Sequence, residues 1–207
     1  MMEAIKQVRG RAVVIPGDEI DTDRIVPARF LKAVTFDGLG EALFYDERYD
    51  EAGNPKDHPL NRPERRGARV LVVGAGFGSG SSREHAPQAI KRAGFQAIIG
   101  ESFAEIFFGN ATQIGLVCVT LDPEDLGVLA EWVEAHPEGE VEVDLEAREV
   151  RFGGRVAPLA IREAAREALV SGRWDPLAEL LEAMDEIKKL DAARPGPGKR
   201  GGYRGRA

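Results

Sequence analysis

The most constraining stretch of this 207-residue chain runs from residue 69 to residue 94. Arg69-Val70-Leu71-Val72-Val73 is a continuous apolar run behind one cation, the pattern of a strand buried on both faces of a sheet. Gly74-Ala75-Gly76-Phe77-Gly78-Ser79-Gly80 follows as a turn. Helical spacing then resumes at Ala86, Ala89, Ile90 and Ala93, and Gly94 stops it. A strand, a glycine-rich turn and a helix in this order predict an α/β domain.

The flanking segments extend that pattern. Residues 11–16 alternate as a short opening strand, and residues 17–24 form an acidic, turn-rich loop. Residues 46–66 are polar and carry Pro55, Pro59 and Pro63, which predicts an extended excursion. Residues 97–100 and 116–119 read as two more buried strands. Residues 103–109 read as a short helix with Ile106 and Phe107 packed inward. Residues 141–145 and 148–152 alternate at period two around a short turn, as a hairpin does. Helices are expected at 128–135, 161–170 and 176–190. The sum is an α/β fold, a mixed sheet flanked by helices, over residues 1–190. Residues 191–207 are Gly, Pro and Arg and are expected to be a disordered basic tail.

Composition narrows the function classes. Hydrophobic residues make up 43% and charged residues 30%, ordinary globular values. The net charge of −7 argues against the body acting as a nucleic-acid trap. The tail is the basic exception: Lys199-Arg200-Gly201-Gly202-Tyr203-Arg204 resembles an Arg-Gly segment of the kind that binds RNA, or it is a plain extension. No run approaches the roughly 20 apolar residues of a membrane span, and residues 1–11 lack the apolar stretch of a signal peptide. A cytoplasmic location is expected, with no membrane and no nucleic-acid partner. Cys118 is the sole cysteine, so an intrachain disulfide is impossible and a multi-thiolate metal site cannot be built; it reads as a small core residue.

The chemistry concentrates in Gly74–His85, GAGFGSGSSREH. Three glycines within five residues let backbone N–H groups approach a ligand closely. Ser81 and Ser82 then fall at the expected start of a helix, where free N–H groups favour negative charge. Arg83 adds a planar fork suited to carboxylate or phosphate. This is either an anion site containing two hydroxyls or a helix cap, with Ser81 capping and Glu84 favoured by the dipole. No Lys stands where a phosphate-binding Walker loop needs it, and the dinucleotide and nucleophile-elbow spacings both fail.

Residues 77–87, FGSGSSREHAP, resemble the signature of the small subunits of the aconitase family, the swivel domain of aconitase. Residues 17–31, GDEIDTDRIVPARFL, are similar to the opening motif of the isopropylmalate dehydratase small subunits, and residues 102–116, SFAEIFFGNATQIGL, to their third motif. The three occur in the family order within a similarity running from about residue 8 to about residue 180. Gln88 departs from the pattern, since relatives often carry a bulky aromatic there.

The resemblance implies a swivel-type α/β domain working in a hydro-lyase that moves a hydroxyl between adjacent carbons. It implies that Ser81 is the base, that Ser82 is its hydrogen-bonding neighbour and that Arg83 binds a carboxylate of a 2-hydroxy dicarboxylate substrate. It also implies that no metal is held by this chain and that a [4Fe–4S] cluster sits on the partner, the isopropylmalate dehydratase large subunit. Arg24, with Asp21, Thr22 and Asp23, caps the next helix or lines the cleft. Phe30 or Leu31 suits an isopropyl group better than a third carboxylate. His85 is expected to support the site, His58 and His136 to be exposed, and the amides of the 110–113 turn to support the site. Residues 32–66 favour the isopropylmalate enzyme over homoaconitase, while the citraconate-hydrating relatives are not separated from it.

Overall fold

The computed structural model describes residues 2–32, 36, 38–80, 84–184 and 188. Seven strands form one mixed sheet in the order β4-β3-β2-β1-β5-β6-β7. The apolar run after Arg69 is β2 (Val70–Val72), buried throughout. It pairs in parallel with β1 (Gln7–Val14) on one side and β3 (Ala97–Gly100) on the other, and β3 pairs in parallel with β4 (Val117–Thr120). Consecutive parallel strands need crossovers, and α3 (His85–Arg92) and α4 (Glu105–Gln113) supply them. The expected hairpin is β5 (Glu140–Asp144) with β6 (Glu149–Phe152), antiparallel, and β5 is antiparallel to the first half of β1.

Side-chain alternation divides the core into two layers. Val13, Ile15, Leu71, Val73, Ile98 and Cys118 face α3 and α4, meeting Ala86, Ala89, Ile90, Phe107, Phe108 and Ala111. Val70, Val72, Ala97, Ile99, Val117 and Val119 face α5 (Pro123–Ala135) and the inner side of β5 and β6. Each of the fully buried Leu and Ile side chains contributes about 1.5–3 kcal/mol of transfer free energy. The mixed sheet flanked by helices is therefore the architecture expected from the sequence.

Several details differ. β1 begins four residues before position 11, because Gln7–Arg11 form an antiparallel ladder with β5 while their charged side chains stay outside. Helix α5 starts five residues before position 128: Asp122 accepts the Glu124 N–H at 3.0 Å, and Pro123 fits the first turn. Helix α4 runs on to Gln113, so residues 110–113 are its last turn rather than a separate turn. It buries Phe107 and Phe108 and leaves Ile106 55% exposed, against the inward packing expected for Ile106. A seventh strand, β7 (Arg155–Pro158), went unpredicted. It is a short edge strand closed by a proline, and its only buried residue is Ala157.

Residues 46–66 are folded rather than extended. Helix α2 (Tyr45–Arg48) leads into a bridge between Tyr49 and Pro55 and then into single 3-10 turns at Pro59–Asn61 and Pro63–Arg65. Arg65 anchors the end of this excursion. Its buried guanidinium donates to the Ala12 and Val133 carbonyls at 3.1 and 2.9 Å and meets Glu134 at 3.3 Å. His58, expected to be exposed, is 6% exposed and packs against Phe44.

The last helices among the described residues are α6 (Glu163–Ser171), ended by Gly172 in the left-handed region, and α7 (Pro176–Glu182). The tail from residue 191 lies outside the described residues. Among the described residues no helix is long and apolar enough to cross a membrane.

Candidate active site

Strands β1, β2 and β3 are parallel neighbours, so the segments leaving their C-terminal ends emerge on one edge of the sheet. These segments are residues 15–21, 73–80 and 101–104, which overlap the three motifs. They form a short secondary layer of backbone pairing. Asp21 bridges Ser79 and Phe77 bridges Phe103, both in parallel. The Gly78 N–H donates to the Ile20 carbonyl at 2.8 Å, Thr22 N–H to Ser79 O at 2.9 Å, and Phe77 N–H to Ser102 O at 3.1 Å. Two side chains hold the loop from either side: Asp18 accepts the Ala75 N–H and Ser102 Oγ accepts the Gly76 N–H, each at 2.8 Å.

Glycine is required where the motif loops touch. Gly76 has φ +64°, and a Cβ there would lie 2.2 Å from a Glu19 carboxylate oxygen. Gly78 has φ +82° and abuts the Phe107 ring. The Phe77 ring stands edge-on to Phe107 at 5.3 Å and to Phe103 at 6.4 Å, so aromatic contacts lock the second motif onto the third.

Ser81, Ser82 and Arg83 lie outside the described residues. The residues on either side of them are placed. Gly80 sits beside Asp21 and Thr22, and Glu84 leads into α3, its carbonyl accepting the Gln88 N–H at 3.1 Å. Gln88, where relatives often have an aromatic, is a buried rung between Glu84, at 2.8 Å, and Arg92. His85 is packed edge-on to Phe36 at 5.1 Å, and Phe36 also lies under the Arg92 guanidinium. Phe36, which precedes the excursion, therefore reaches the first turn of α3.

Helix α1 (Thr22–Ile25) is capped by Asp21, whose carboxylate accepts the Arg24 N–H at 2.8 Å. The Arg24 guanidinium turns to the excursion and donates to Glu47 at 2.7 Å, and this hydrogen bond raises its pKa. Phe30 lies between the Arg29 guanidinium, at 4.8 Å, and the Tyr45 ring, at 5.1 Å. Leu31 is half-buried against the core. Arg24 and Phe30 thus meet helix α2 through Glu47 and Tyr45, whereas Leu31 packs on the core.

A cleft of about 360 Å³ lies on the motif edge between Ser102, Phe103, Phe108, Thr120, Ile161 and Arg162. A larger cavity of about 660 Å³ lies at the other end of the sheet, against residues 65–68 and 92–95, away from all three motif loops, whereas the smaller cleft is lined by Ser102, Phe103 and Phe108 of the third motif. Position relative to the motif loops identifies the candidate site, so size is the weaker guide here. Among the described residues no group of three His, Cys, Asp or Glu could hold a metal ion. The lone Cys118 thiol is buried in β4, where desolvation pushes its pKa up. Asp18 and Ser102 were not singled out from the sequence, and Phe107 was read only as an inward-packed helix residue. Their signal was their place inside the first and third motifs, on either side of the loop.

The comparisons with known proteins agree with this geometry. The aconitase C-terminal domain family matches residues 2–124. The 3-isopropylmalate dehydratase small subunit of Thermus thermophilus is 68% identical over 197 residues, covering 95% of this chain and 98% of that protein. The small subunit of the same name from Synechocystis is 46% identical, covering 90% and 92%. Among solved structures, a 3-isopropylmalate dehydratase from Methanocaldococcus jannaschii superposes with a TM-score of 0.63 at 29% identity, covering 86% of this chain and 99% of that one. With the family matching more than half of the chain and the small subunits matching nearly all of it, this chain belongs to the 3-isopropylmalate dehydratase small subunits, built on the aconitase C-terminal domain.

Proposed function

We propose that this chain isomerises 2-isopropylmalate and 3-isopropylmalate by dehydration and rehydration in an active site that it shares with a large subunit. It supplies Ser81 as the base, with Ser82 as its hydrogen-bonding neighbour and Arg83 as the group that binds a substrate carboxylate. The observation that supports the reading is the convergence of the three motif loops at the ends of β1, β2 and β3, with Gly80 the residue just before 81–83 in the sequence. A serine hydroxyl is a weak acid, so a basic serine needs donors and positive charge fixed around it. Residues 75–79, just before it in the sequence, are held by the first motif on one side and the third on the other, which suits that demand. Arg83 offers a bidentate fork to a carboxylate and orients the carbon whose proton Ser81 removes.

The large subunit's iron–sulfur cluster would supply the Lewis acid for the leaving hydroxyl. Phe30 and Leu31 offer apolar surface for the isopropyl group, and His85 supports the loop through Phe36. We further propose that residues 1–190 carry this function and that residues 191–207 are dispensable. Truncation before Asp191 then leaves complex formation and turnover unchanged.

The test is an anaerobic assay of this chain with its large subunit, following isopropylmalate dehydration, with Ser81→Ala alongside. Turnover that requires both chains and collapses in the variant, with complex formation intact, supports the assignment. Near-normal turnover in Ser81→Ala removes the base from Ser81. Turnover by this chain alone refutes the shared site, and a preference for homocitrate or a methylmalate over isopropylmalate refutes the substrate.

A further inference from the structure

Glu47, in the short helix α2 at the start of the excursion, holds a central place that no motif marks. One carboxylate oxygen accepts the Arg24 guanidinium at 2.7 Å, and the other stands 3.9 Å from Nε2 of the buried His58. Glu47 therefore faces the opening motif on one side and the far limb of the excursion on the other. Two backbone bonds complete the join. The Phe44 N–H, at the left-handed residue that starts α2, donates to the Ile25 carbonyl at 2.8 Å. The Arg48 N–H returns to Phe44 O at 2.9 Å.

On its other side α1 is tied to the glycine loop. Thr22 N–H bonds to Ser79 O, Asp21 bridges Ser79, and Asp21 also caps α1 at the Arg24 N–H. Arg24 is thus held by its backbone to the residue paired with Ser79 and by its side chain to Glu47. Ser79 lies two residues before Ser81.

We infer that Glu47 is a positioning residue, which through Arg24 and helix α1 fixes Ser79, two residues before Ser81 in the sequence. The inference rests on the reading of Ser81 as the base. A half-exposed ion pair adds little to global stability, so its loss leaves the chain folded. Small displacement of a reacting group acts on the chemical step more than on ground-state binding.

The experiment is steady-state kinetics of the complex with the large subunit, under anaerobic conditions, for Glu47→Gln, Glu47→Asp and the exchanged pair Arg24→Glu with Glu47→Arg. Complex affinity is measured in parallel, and Ser81→Ala serves as the control. Expected for Glu47→Gln is a fall in kcat of about tenfold with KM changed less than about twofold. Glu47→Asp and the exchanged pair should each recover part of the loss, with complex affinity unchanged throughout. Wild-type kcat in Glu47→Gln overturns the inference, as does a loss that tracks weaker binding of the large subunit. A Ser81→Ala enzyme that keeps its rate would instead defeat the underlying assignment, and the two failures are separable in one experiment.

Discussion

Gly78 of the glycine loop and Phe107 of α4 are in contact so close that a Cβ at Gly78 would lie 2.3 Å from the Phe107 Cγ. The loop that leads to Ser81 is thereby seated on the third motif by the absence of a side chain. Gly78→Ala must push the ring aside and also hold φ +82°, which an L residue resists. The expected cost is roughly 2–5 kcal/mol of stability, read from urea midpoints, with turnover of the complex largely lost. Phe107→Ala in the same chain removes Cγ and the ring but keeps Cβ, so the two losses should be less than additive. Additive losses in the double variant would show that backbone strain alone is responsible.

His58 gives a pH prediction with a definite sign. Burial, its largest influence, pushes its pKa below the usual histidine value, and Glu47 opposes this while Arg48, Arg62 and Lys56 add to it. The folded chain therefore holds His58 neutral at a pH where the unfolded chain has already taken up a proton. Stability from this group is complete above the unfolded pKa of about 6.5 and is lost as pH falls through the lower folded pKa. Unfolding free energy should thus decline on acidification below about pH 6.5. His58→Asn, whose side-chain oxygen can take the Leu60 N–H now accepted by Nδ1 at 3.2 Å, should flatten that decline. An unchanged slope in the variant assigns the acid sensitivity to other groups.

The elements legible in the sequence were those whose hydrophobic pattern is local and complete. Val70-Leu71-Val72 had no polar residue to mislead, and the 141–152 hairpin alternated cleanly. What escaped depended on contacts distant in sequence. His58 looked exposed because its neighbours are polar, and only Phe44 and Glu47, more than ten residues earlier, reveal its burial. Ile106 looked buried because it sits beside two phenylalanines, but a helix can turn only part of its surface inward, and Phe107 and Phe108 take that place. The motif loops were visible as motifs. Their mutual pairing was not, because it follows from strand order rather than from any one segment.

Cys118 should behave as a reporter of unfolding. It lies in β4 at 1% exposure among Ile98 and the α4 residues, with its thiol pushed above the usual cysteine value by burial. The thiolate is the reactive form, so alkylation requires opening of the sheet. Iodoacetamide should leave the native chain unmodified by mass and add one group in denaturant. Rapid labelling of the native chain would mean that the layer between the sheet and α4 opens locally, and loosening Phe107 should then accelerate it.

Arg83 carries the sharpest prediction for substrate recognition. A guanidinium offers a carboxylate two parallel N–H donors, whereas lysine keeps the charge but loses the planar fork. Loss of one charge-assisted hydrogen bond is worth about 1.5–3 kcal/mol, so Arg83→Lys should lower kcat/KM by roughly ten- to a hundredfold. Because ground state and transition state carry the same carboxylate, most of the loss should fall on KM. Arg83→Gln should lose more, since the charge goes as well. Steady-state kinetics of the complex with isopropylmalate measure both variants. An Arg83→Lys enzyme with unchanged KM would mean that the carboxylate is held from the large-subunit side. The rigid seat of the glycine loop on Phe107 would then serve Ser81 alone.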